Sequence, residues 1–572
     1  MALKKQKHRV VPKTKKDILR KVNLIPMGGL SEIGCNMTLL ECQGKILVID
    51  MGMGFPTEDM PGIDCLIPNS SFLKDRKNDI LGVVFTHGHY DHIGAVPYIV
   101  PRIGAVPMYA GALTKRMILK RQEDFPAQPT LDIEEVKDGS VIETGPFKVE
   151  FFHLNHSIPD NLALFISTPA GNIVHTSDFK FDESPVNDLP TDFKRLRNIA
   201  KRKVRLLMSD STGAEEEGRS LSEEKIFKNL NKIFKKAKGR IIAGSFASLL
   251  NRIQQIITLS EKYNRKVAIE GRSLRSNVEI ARSLKRLCIK KGTIIQSKDI
   301  RNYPENQITV ICTGAQAEEK AVFMKIVNRE HKYIKIKKGD TVIFSSSVIP
   351  GNERSVQALK DEFYRQGANV FHYKMMDIHA SGHAKQEELK QMINIMKPEF
   401  FMPVHGHYSM LVKHAELAEE EGVPKKNIII AENGKVVEID ANKIALTKQS
   451  IQANFIMVDG LGIGDVGEIV LRDRQALAKD GMFVVISVVD RQEGRIKGSP
   501  DIISRGFVYL RESQDLLKET RKRVIRIVNQ AASSGRAVNW SYIKEEIKEK
   551  IGSFLFYKTQ RRPMILPVII EV

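Results

Sequence analysis

Short apolar runs separated by Gly, Pro and polar turns dominate the first part of the chain. Runs of this length that are rich in β-branched residues and bounded by turn-forming residues predict strands. The predicted strands are Val22–Pro26, Cys35–Glu41, Lys45–Asp50, Leu81–Phe85, Val149–His153, Leu162–Ser167 and Asn172–Thr176. The pattern therefore predicts a strand-rich α/β region whose polar residues lie at strand ends.

From about Thr212 the pattern alternates between helix and strand. Ser220–Glu223 has the spacing of a capping box, and an apolar helical stripe begins after it at Ile226 and Leu230. Four short apolar runs follow, each succeeded by a polar loop and a helical pattern. They are Arg240–Ala243, Lys266–Ile269, Thr309–Ile311 and Thr341–Phe344. This βα repetition predicts a parallel sheet.

Residues suited to metal binding return after the alternating segment, at His379, His383 and His405. We therefore expect the βα domain to be inserted within the first domain, which resumes near Tyr373. A further α+β unit is expected from about residue 453. Its predicted strands are Met482–Val489 and Gly506–Leu510, and a basic helix is predicted around Arg521.

Length and charge narrow the class of protein. The 572 residues are too many for one core. The formal net charge of +21 favours a polyanionic partner such as nucleic acid, or an anionic membrane surface.

Five scattered cysteines without a C-x-x-C pair suggest reduced thiols in a cytoplasm. Residues 1–20 are basic and lack an apolar signal core; they either contact RNA or ribosomes or have no role. No run approaches the length of a membrane span.

The segment Thr86–Gly94 carries the clearest chemical signal. Its ligand-type residues are His87, His89, Asp91 and His92. Histidine and aspartate are costly to bury unless they are paired or bound to metal. This mixture of nitrogen and oxygen ligands favours zinc, with manganese and magnesium as alternatives.

Three further ligand candidates lie after strand-like runs. They are His156, Asp178 and His405. One zinc ion takes about four ligands, so seven candidates predict two metal ions that share a carboxylate.

These motifs resemble those of a known superfamily. Asp50, the His87–His92 cluster, His156 and Asp178 resemble the motifs of the metallo-β-lactamase superfamily. Ser209–Thr212, Ser381–Ala384 and His405 resemble the three motifs of its β-CASP nucleases. The ending Arg561–Pro567 resembles the C-terminal domain of the ribonuclease J family.

The resemblance implies a fold and a domain order. It implies an α/β fold: a metallo-β-lactamase αββα sandwich with an inserted β-CASP α/β domain and a small α+β C-terminal domain. The expected division is a basic extension at 1–20, the sandwich at 21–211, the β-CASP domain at 212–372, the rest of the sandwich at 373–440, a linker at 441–452 and the C-terminal domain at 453–572.

The resemblance also implies a division of the ligands between two metals. The first set is His87, His89, His156 and Asp178. The second set is Asp91, His92, Asp178 and His405. Asp50 would orient the histidines by hydrogen bonding without touching a metal. The family commonly has Glu where this chain has His407, and we expect this to change the hydrogen-bond partner of His405.

Catalytic and binding roles follow from the same resemblance. His383 is expected to protonate the departing 3′ oxygen, with Asp210 orienting it and Asp91 serving both metal and reaction. Asp210 could instead, or in addition, cap the turn before Thr212. A pocket for a terminal 5′ phosphate is expected from His379, Ser381, Gly382 and His383, with Arg272 and Ser273 holding a neighbouring phosphate.

The expected function is a two-metal ribonuclease. It would act as a 5′→3′ exonuclease that prefers 5′-monophosphate RNA, and as an endonuclease, in rRNA processing and mRNA decay. We expect a homodimer or homotetramer that interacts with RNA-decay machinery or ribosomes. Binding to membranes is not expected. The alternatives are a small-molecule metallohydrolase of the same fold and a non-catalytic RNA-binding scaffold.

Overall fold

The fold was obtained as a computed structural model. It describes residues 20–57, 59–318, 321–346, 348, 352–460, 462–508, 513–532 and 539–572. The chain divides into two compact units. Unit 1 comprises Met1–Gly54 and Ile67–Phe455, and unit 2 comprises Phe55–Leu66 and Ile456–Val572.

The first part of unit 1 builds most of two sheets. Its elements are β1 Val22–Gly28, β2 Met37–Cys42, β3 Lys45–Ile49, β4 Cys65–Ile67, α1 Ser71–Lys74, β5 Ile80–Val84, α2 Tyr90–Ile93, α3 Val96–Ile103, β6 Met108–Ala110, α4 Ala112–Gln122, β7 Ile133–Glu135, β8 Val141–Thr144, β9 Phe147–His153, β10 Leu162–Thr168, β11 Gly171–His175, α5 Phe193–Ala200 and β12 Val204–Asp210. Of these, β4 begins within the short segment that belongs to unit 2.

An inserted segment follows β12 and forms its own sheet. Its elements are α6 Glu223–Lys236, β13 Ile241–Gly244, α7 Leu250–Lys262, β14 Lys266–Glu270, α8 Arg272–Ser283, β15 Ile294–Ile295, β16 Ile308–Cys312, α9 Val322–Val327, β17 Thr341–Phe344, α10 Glu353–Arg365 and β18 Asn369–His372. The strand order is β15-β14-β16-β13-β17-β18, and every pair is parallel. The parallel sheet expected from the βα repetition is confirmed.

The chain then completes the two sheets of unit 1. The remaining elements are α11 Gln386–Met396, β19 Phe400–Val404, α12 Tyr408–Glu420, β20 Lys435–Ile439 and β21 Ile444–Ser450. The eight-stranded sheet has the order β21-β20-β1-β2-β3-β5-β6-β7, and the six-stranded sheet has the order β19-β12-β11-β10-β9-β8. The sandwich therefore draws strands from both sides of the insertion.

Apolar side chains hold the two sheets face to face. Leu24 and Leu47 of the eight-stranded sheet share one buried core with Phe151 and Met402 of the six-stranded sheet. Helices α11 and α12 pack on the other face of the six-stranded sheet, and α4 packs on β6 and β7. This is the expected αββα sandwich, and burial of apolar surface from both sheets stabilises it.

Unit 2 has a core of its own. Its elements are β22 Ile456–Asp459, β23 Gly462–Ile463, α13 Glu468–Asp480, β24 Met482–Val489, β25 Asp501–Arg505, α14 Gln514–Ala532, α15 Trp540–Thr559 and β26 Met564–Glu571. In the three-stranded sheet β25-β24-β26, β24 pairs antiparallel with β25 and parallel with β26.

Of the two strands predicted from the sequence in unit 2, one is confirmed and one is wrong. Met482–Val489 is confirmed in full. The strand expected at Gly506–Leu510 is wrong for its described part, because the strand lies just before it at Asp501–Arg505. Tyr509 and Leu510 lie outside the described residues. In the described part of the chain, no helix is both long and apolar enough to cross a membrane.

Candidate metal centre

Neighbouring strand ends bring the site together. Strand β12 pairs in parallel with both β11 and β19, and Asp210 lies opposite Val404. The carboxyl ends of these three strands therefore meet at one edge of the six-stranded sheet. Asp178 follows β11, Asp210 ends β12, and His405 follows β19.

Three residues that lie just after β3, β11 and β19 adopt a strained backbone. The φ angles of Asp50, Ser177 and His405 are 59°, 58° and 53°. Positive φ is uncommon for residues other than Gly and costs about 1–3 kcal/mol when the surrounding structure enforces it. Such strain is typical of functional sites, where it turns a side chain out of the strand's regular alternation.

Two groups of ligand-type side chains share Asp178. Within each group, one ligand atom from every residue lies within 4.8 Å of the others. The first group is His87, His89, His156 and Asp178, and the second is Asp91, His92, Asp178 and His405. The structure thus brings together all seven residues singled out by the sequence, in the two sets implied by the resemblance.

The imidazoles of the first group are arranged as neutral rings. His87 Nε2 lies 3.0 Å from His89 Nδ1, which is 3.1 Å from His156 Nε2. Burial lowers the pKa of His87 and His156 well below the usual value and that of His89 to about 4. His156 Nδ1–H donates to the carbonyl of Gly382 at 2.8 Å, which leaves its Nε2 lone pair facing the group. Neutral rings with converging lone pairs are suited to bind a metal ion.

The second group is organised by carboxylates. Burial opposes protonation of His92 and His405, but the surrounding carboxylates, with Asp178 foremost among them, together outweigh it and raise both pKa values. His405 Nδ1–H donates to Asp178 at 2.7 Å. His405 Nε2 is buried without a hydrogen-bond partner. A buried orphan nitrogen is rare in proteins, and a metal ion at this position would satisfy it.

Asp50 holds this group from behind. Its Oδ2 accepts from His92 Nδ1 and from Thr86 Oγ1, both at 2.8 Å, and its Oδ1 accepts from the Thr86 backbone N–H at 2.8 Å. These contacts fix the ring of His92 so that Nε2 faces Asp178, at 3.3 Å from Oδ1. The geometry agrees with the orienting role predicted for Asp50, which stays a prediction.

His383 and Asp210 form a charged pair beside the second group. His383 Nδ1 lies 2.8 Å from Asp210 Oδ2. Burial alone would lower the pKa of His383, but the Asp210 carboxylate raises it to about 9. Asp210 Oδ1 also accepts from the Thr212 backbone N–H at 3.0 Å. Both interpretations of Asp210 from the sequence, a turn cap and a partner of His383, thus have a matching contact.

The loop that carries His383 is fitted closely to the first group. A Cβ on Gly382 would lie 2.6 Å from His156 Cε1, so only glycine fits there. Ser381 Oγ accepts from the His383 backbone N–H at 3.1 Å. Burial, followed by the nearby Arg252 charge, lowers the pKa of His379 to about 3, and its Nδ1 has no hydrogen-bond partner.

Two predicted phosphate-binding residues lie at the start of α8. Arg272 is exposed and pairs with Asp124 of the sandwich, and Ser273 is also exposed. Within the described part of the chain, neither makes a hydrogen bond or ion pair with the loop from His379 to His383. Their phosphate-binding role stays a prediction.

Several supporting residues were not identified from the sequence. Thr86 donates to Asp50, Ser177 Oγ lies 3.3 Å from His87 Nδ1, and Asn36 Nδ2 lies 3.2 Å from His92 Nε2. Thr86 and Ser177 directly precede predicted ligands, and this position is a signal that could have found them. Asn36 lies far from them in sequence and gave no such signal.

Family models match most of the chain. The metallo-beta-lactamase superfamily matches residues 30–213, and the ribonuclease J beta-CASP domain matches 238–363. The Zn-dependent metallo-hydrolase RNA specificity domain matches 370–431, and the ribonuclease J C-terminal domain matches 469–572. The fold and the matched segments together define a β-CASP metallohydrolase.

Full-length similarity to individual proteins identifies the family within this class. The chain is 39% identical over 563 residues to ribonuclease J 2 of Staphylococcus aureus strain NCTC 8325 / PS 47, covering 98% of this chain and 100% of the relative. It is 38% identical over the same length to ribonuclease J 2 of Staphylococcus epidermidis, with the same coverage. The chain belongs to the ribonuclease J family. A protein of unknown function from Enterococcus faecalis V583 shares the fold, with a TM-score of 0.53 and 17% identity over 73% of this chain and all of its own.

Replacing His156 tests the metal centre directly. We expect His156→Ala to weaken metal binding at the first group by about 10-fold or more, because a converging ring nitrogen is lost, and so to lower the metal content by up to about one ion per chain. His153→Ala is the matched control, since His153 ends β9 three residues before His156 and lies outside both groups. Mass spectrometry of the purified proteins measures bound metal. Equal metal content in the two variants would contradict the assignment.

Proposed function

We propose that this metal-dependent ribonuclease degrades RNA in the 5′→3′ direction from a 5′-monophosphate end and also cleaves internally. One observation carries the proposal: the Gly382 carbonyl, next to His383, accepts a hydrogen bond from His156 of the metal centre. Small residues beside a metal centre let backbone N–H groups approach phosphate oxygens. A terminal phosphate held there would set the cleaved bond at a fixed distance from the RNA end.

The site suits two divalent ions, with zinc favoured. Nitrogen and carboxylate ligands in two sets of four are typical of zinc, and manganese or magnesium are the alternatives. When bound, such ions polarise a phosphodiester and lower the pKa of water. Asp178 is the residue common to both sets and would bridge the ions. Asp91 would belong to the second set alone.

His383 is the proposed acid. With a pKa of about 9 it carries a proton at neutral pH, and its Nε2, which has no hydrogen-bond partner among the described residues, can deliver that proton while Nδ1–H stays on Asp210. Protonation of the departing 3′ oxygen avoids an unstable alkoxide. Asp210 stabilises the charged ring before transfer and keeps it oriented. His379, Ser381 and Gly382 are the proposed phosphate contacts, with Arg272 and Ser273 further along the RNA.

Arg252 is proposed to position this loop. Its side chain is fully buried, and Nη1 donates to Ser345 Oγ and to the Ile378 carbonyl, both at 2.6 Å. Nη2 donates to Glu223 at 2.9 Å. Glu223 also pairs with Lys180, which lies two residues after Asp178. One carboxylate therefore connects the segment of a metal ligand with the start of the His379–His383 loop.

The cellular setting follows from the family and the thiols. None of the five cysteines forms a disulfide in the structure. We propose a cytoplasmic protein that acts in RNA processing and decay and meets ribosomes or other decay factors, since reduced thiols are typical of that compartment.

A homodimer, or a homotetramer built from it, is proposed through unit 2. One face of the sheet β25-β24-β26 presents apolar side chains to solvent, with Leu566, Val568 and Ile570 each about 40% exposed. Ile503 of β25 is exposed to a similar degree. An exposed apolar face next to a free edge strand is typical of an association surface.

A labelled RNA tests direction and acid together. On 5′-monophosphate RNA labelled at its 3′ end, we expect wild type to shorten the RNA progressively, and His383→Ala to be slower by about 10²–10⁴-fold because the leaving oxygen is not protonated. His372→Ala, on β18 and outside both metal groups, should match wild type. Equal rates on 5′-triphosphate RNA would contradict the end preference. No cleavage at all would favour a small-molecule hydrolase or a scaffold.

Arg252 can be compared with a second buried arginine. Arg240 is buried in the same inserted segment and pairs with Asp340 at 2.5 Å, away from the His383 loop. Arg252→Met and Arg240→Met should each lower the unfolding free energy by about 3–5 kcal/mol. We expect only Arg252→Met to lower the kcat of the folded, metal-loaded enzyme, by about 10-fold or more, because loop position is worth that much in rate. Equal kcat values in the two variants would contradict the proposal that Arg252 positions the His383 loop.

Charge on the apolar face tests the oligomer. We expect Val568→Asp together with Ile570→Asp to reduce the molar mass in solution to that of one chain, because burying unpaired carboxylates is costly. Tyr557→Asp, on exposed α15, is the control and should leave the mass unchanged. Light scattering during gel filtration measures the mass. An unchanged oligomer in the double variant would exclude this face.

A further inference from the structure

A large concavity lies at the far end of the strands that carry the metal centre. Its volume is about 920 Å³, and Val204 at the start of β12 and Glu399 just before β19 line it. Asp210 and His405 lie at the other ends of the same two strands. Six residue steps separate Val204 from Asp210, which is about 20 Å at the usual rise of a strand. The concavity is therefore separate from the metal centre but connected to it by two rigid strands.

The lining of this concavity is strongly basic. The cationic side chains are Arg197, Lys201, Arg202, Lys203, Arg205 and Lys397, against one carboxylate, Glu399. Arg202 pairs with Glu150, and Arg205 pairs with Glu399. Among the described residues, the other four cations have no carboxylate partner. Lys201 Nζ reaches only the side-chain oxygen of Asn198, at 3.3 Å.

Two of these lysines occupy unfavourable backbone positions. Lys203 has a φ of 61° and Lys397 a φ of 45°. Gly or Asn would adopt this left-handed conformation at lower cost, and Gly is the common choice at the end of a helix. Both lysines are exposed, so no packing explains them. The positive charges are present despite a local backbone preference against lysine.

Helix ends account for part of this charge. Lys201 follows α5 and Lys397 follows α11, and cations are favoured near a helix C-terminus. That effect does not explain why cations from two separate helices and from the loop of Arg202 and Lys203 converge on one concavity. Convergent unpaired cations repel one another, and an anion between them would relieve the repulsion.

We propose that this concavity is a second RNA-binding site that holds the sugar-phosphate backbone of the strand away from its cleaved end. The proposal rests on RNA as the substrate. Flexible lysines without fixed partners suit phosphates spaced along a single strand, where contact needs charge and not base identity. An RNA whose end lies at the metal centre must run around the domain, so only strands longer than about six nucleotides could reach both sites.

Such a site would change affinity without changing chemistry. Each phosphate contact releases a counterion, so binding weakens with salt by a slope of about −0.7 per contact for single strands. Long RNA should therefore bind more tightly, and with a steeper salt dependence, than RNA that reaches the metal centre alone. Turnover of short RNA should be independent of the concavity.

The test removes three lysines and compares two RNA lengths. The variant is Lys201→Ala, Lys203→Ala, Lys397→Ala. The matched control is Lys235→Ala, Lys236→Ala, Lys238→Ala, which removes three exposed lysines at and just after the end of α6 that have no carboxylate partner among the described residues. Both are made in the metal-loaded His383→Ala protein, so that bound RNA stays intact. Fluorescence anisotropy measures binding across a salt series.

For single-stranded RNA of about 30 nucleotides, we expect the slope of log K against log salt to become shallower by about 2 in the variant and to stay unchanged in the control. For RNA of about five nucleotides, neither protein should differ from its parent. Identical slopes in all three proteins on long RNA would overturn the second site while leaving the proposed nuclease activity untouched. Failure of the parent to bind either RNA would instead overturn the RNA substrate. A loss that is equal on short and long RNA would show that the lysines act on the metal centre and would also overturn the proposal.

Discussion

The buried carboxylate of Asp178 is the constraint on which the centre depends. It is almost fully buried, and burial alone would raise its pKa. The nearby charges and hydrogen bonds of His405 and His92 overcome burial and hold the pKa well below its usual range. A carboxylate that stays ionised in such a place must be surrounded by cations or donors. The convergence of histidines from distant strands follows from that requirement.

The same requirement extends into the inserted segment. Lys180 and Arg252 are both buried, and Glu223 lies between them. Removing any one of the three would leave an uncompensated charge in the interior, which is far more costly than loss of a surface ion pair. The network therefore ties the sandwich and the inserted segment together where the His383 loop begins. Charge in this protein thus has two roles: buried pairs hold the start of the His383 loop, and surface cations without carboxylate partners are proposed to bind an anionic partner.

Much of the fold could be predicted from local pattern. Thr341–Phe344 and Met482–Val489 are apolar runs bounded by turn residues, and both strands match the structure in full. The strand expected at Gly506–Leu510 failed because Ile502 and Ser504, which face the core, alternate with exposed Asp501 and Arg505. Because charged residues alternate with the buried ones, residues 501–505 do not form the apolar run that predicts a strand. The apolar residues just after them, in 506–510, do form such a run. Pairing with β24, which no local pattern shows, decided the register.

The sequence by itself determined the chemistry: closely spaced histidines and aspartates at strand ends predict a metal site because such side chains are costly to bury alone. It also singled out seven ligand-type residues, which the structure brings together. Only the tertiary structure decided how they are held. Asn36 contacts His92, the Gly382 carbonyl accepts a hydrogen bond from His156 Nδ1–H, and Arg252 donates to the Ile378 carbonyl just before the loop of His383. These contacts join residues far apart in the chain, and chain folding alone brings them within hydrogen-bonding distance.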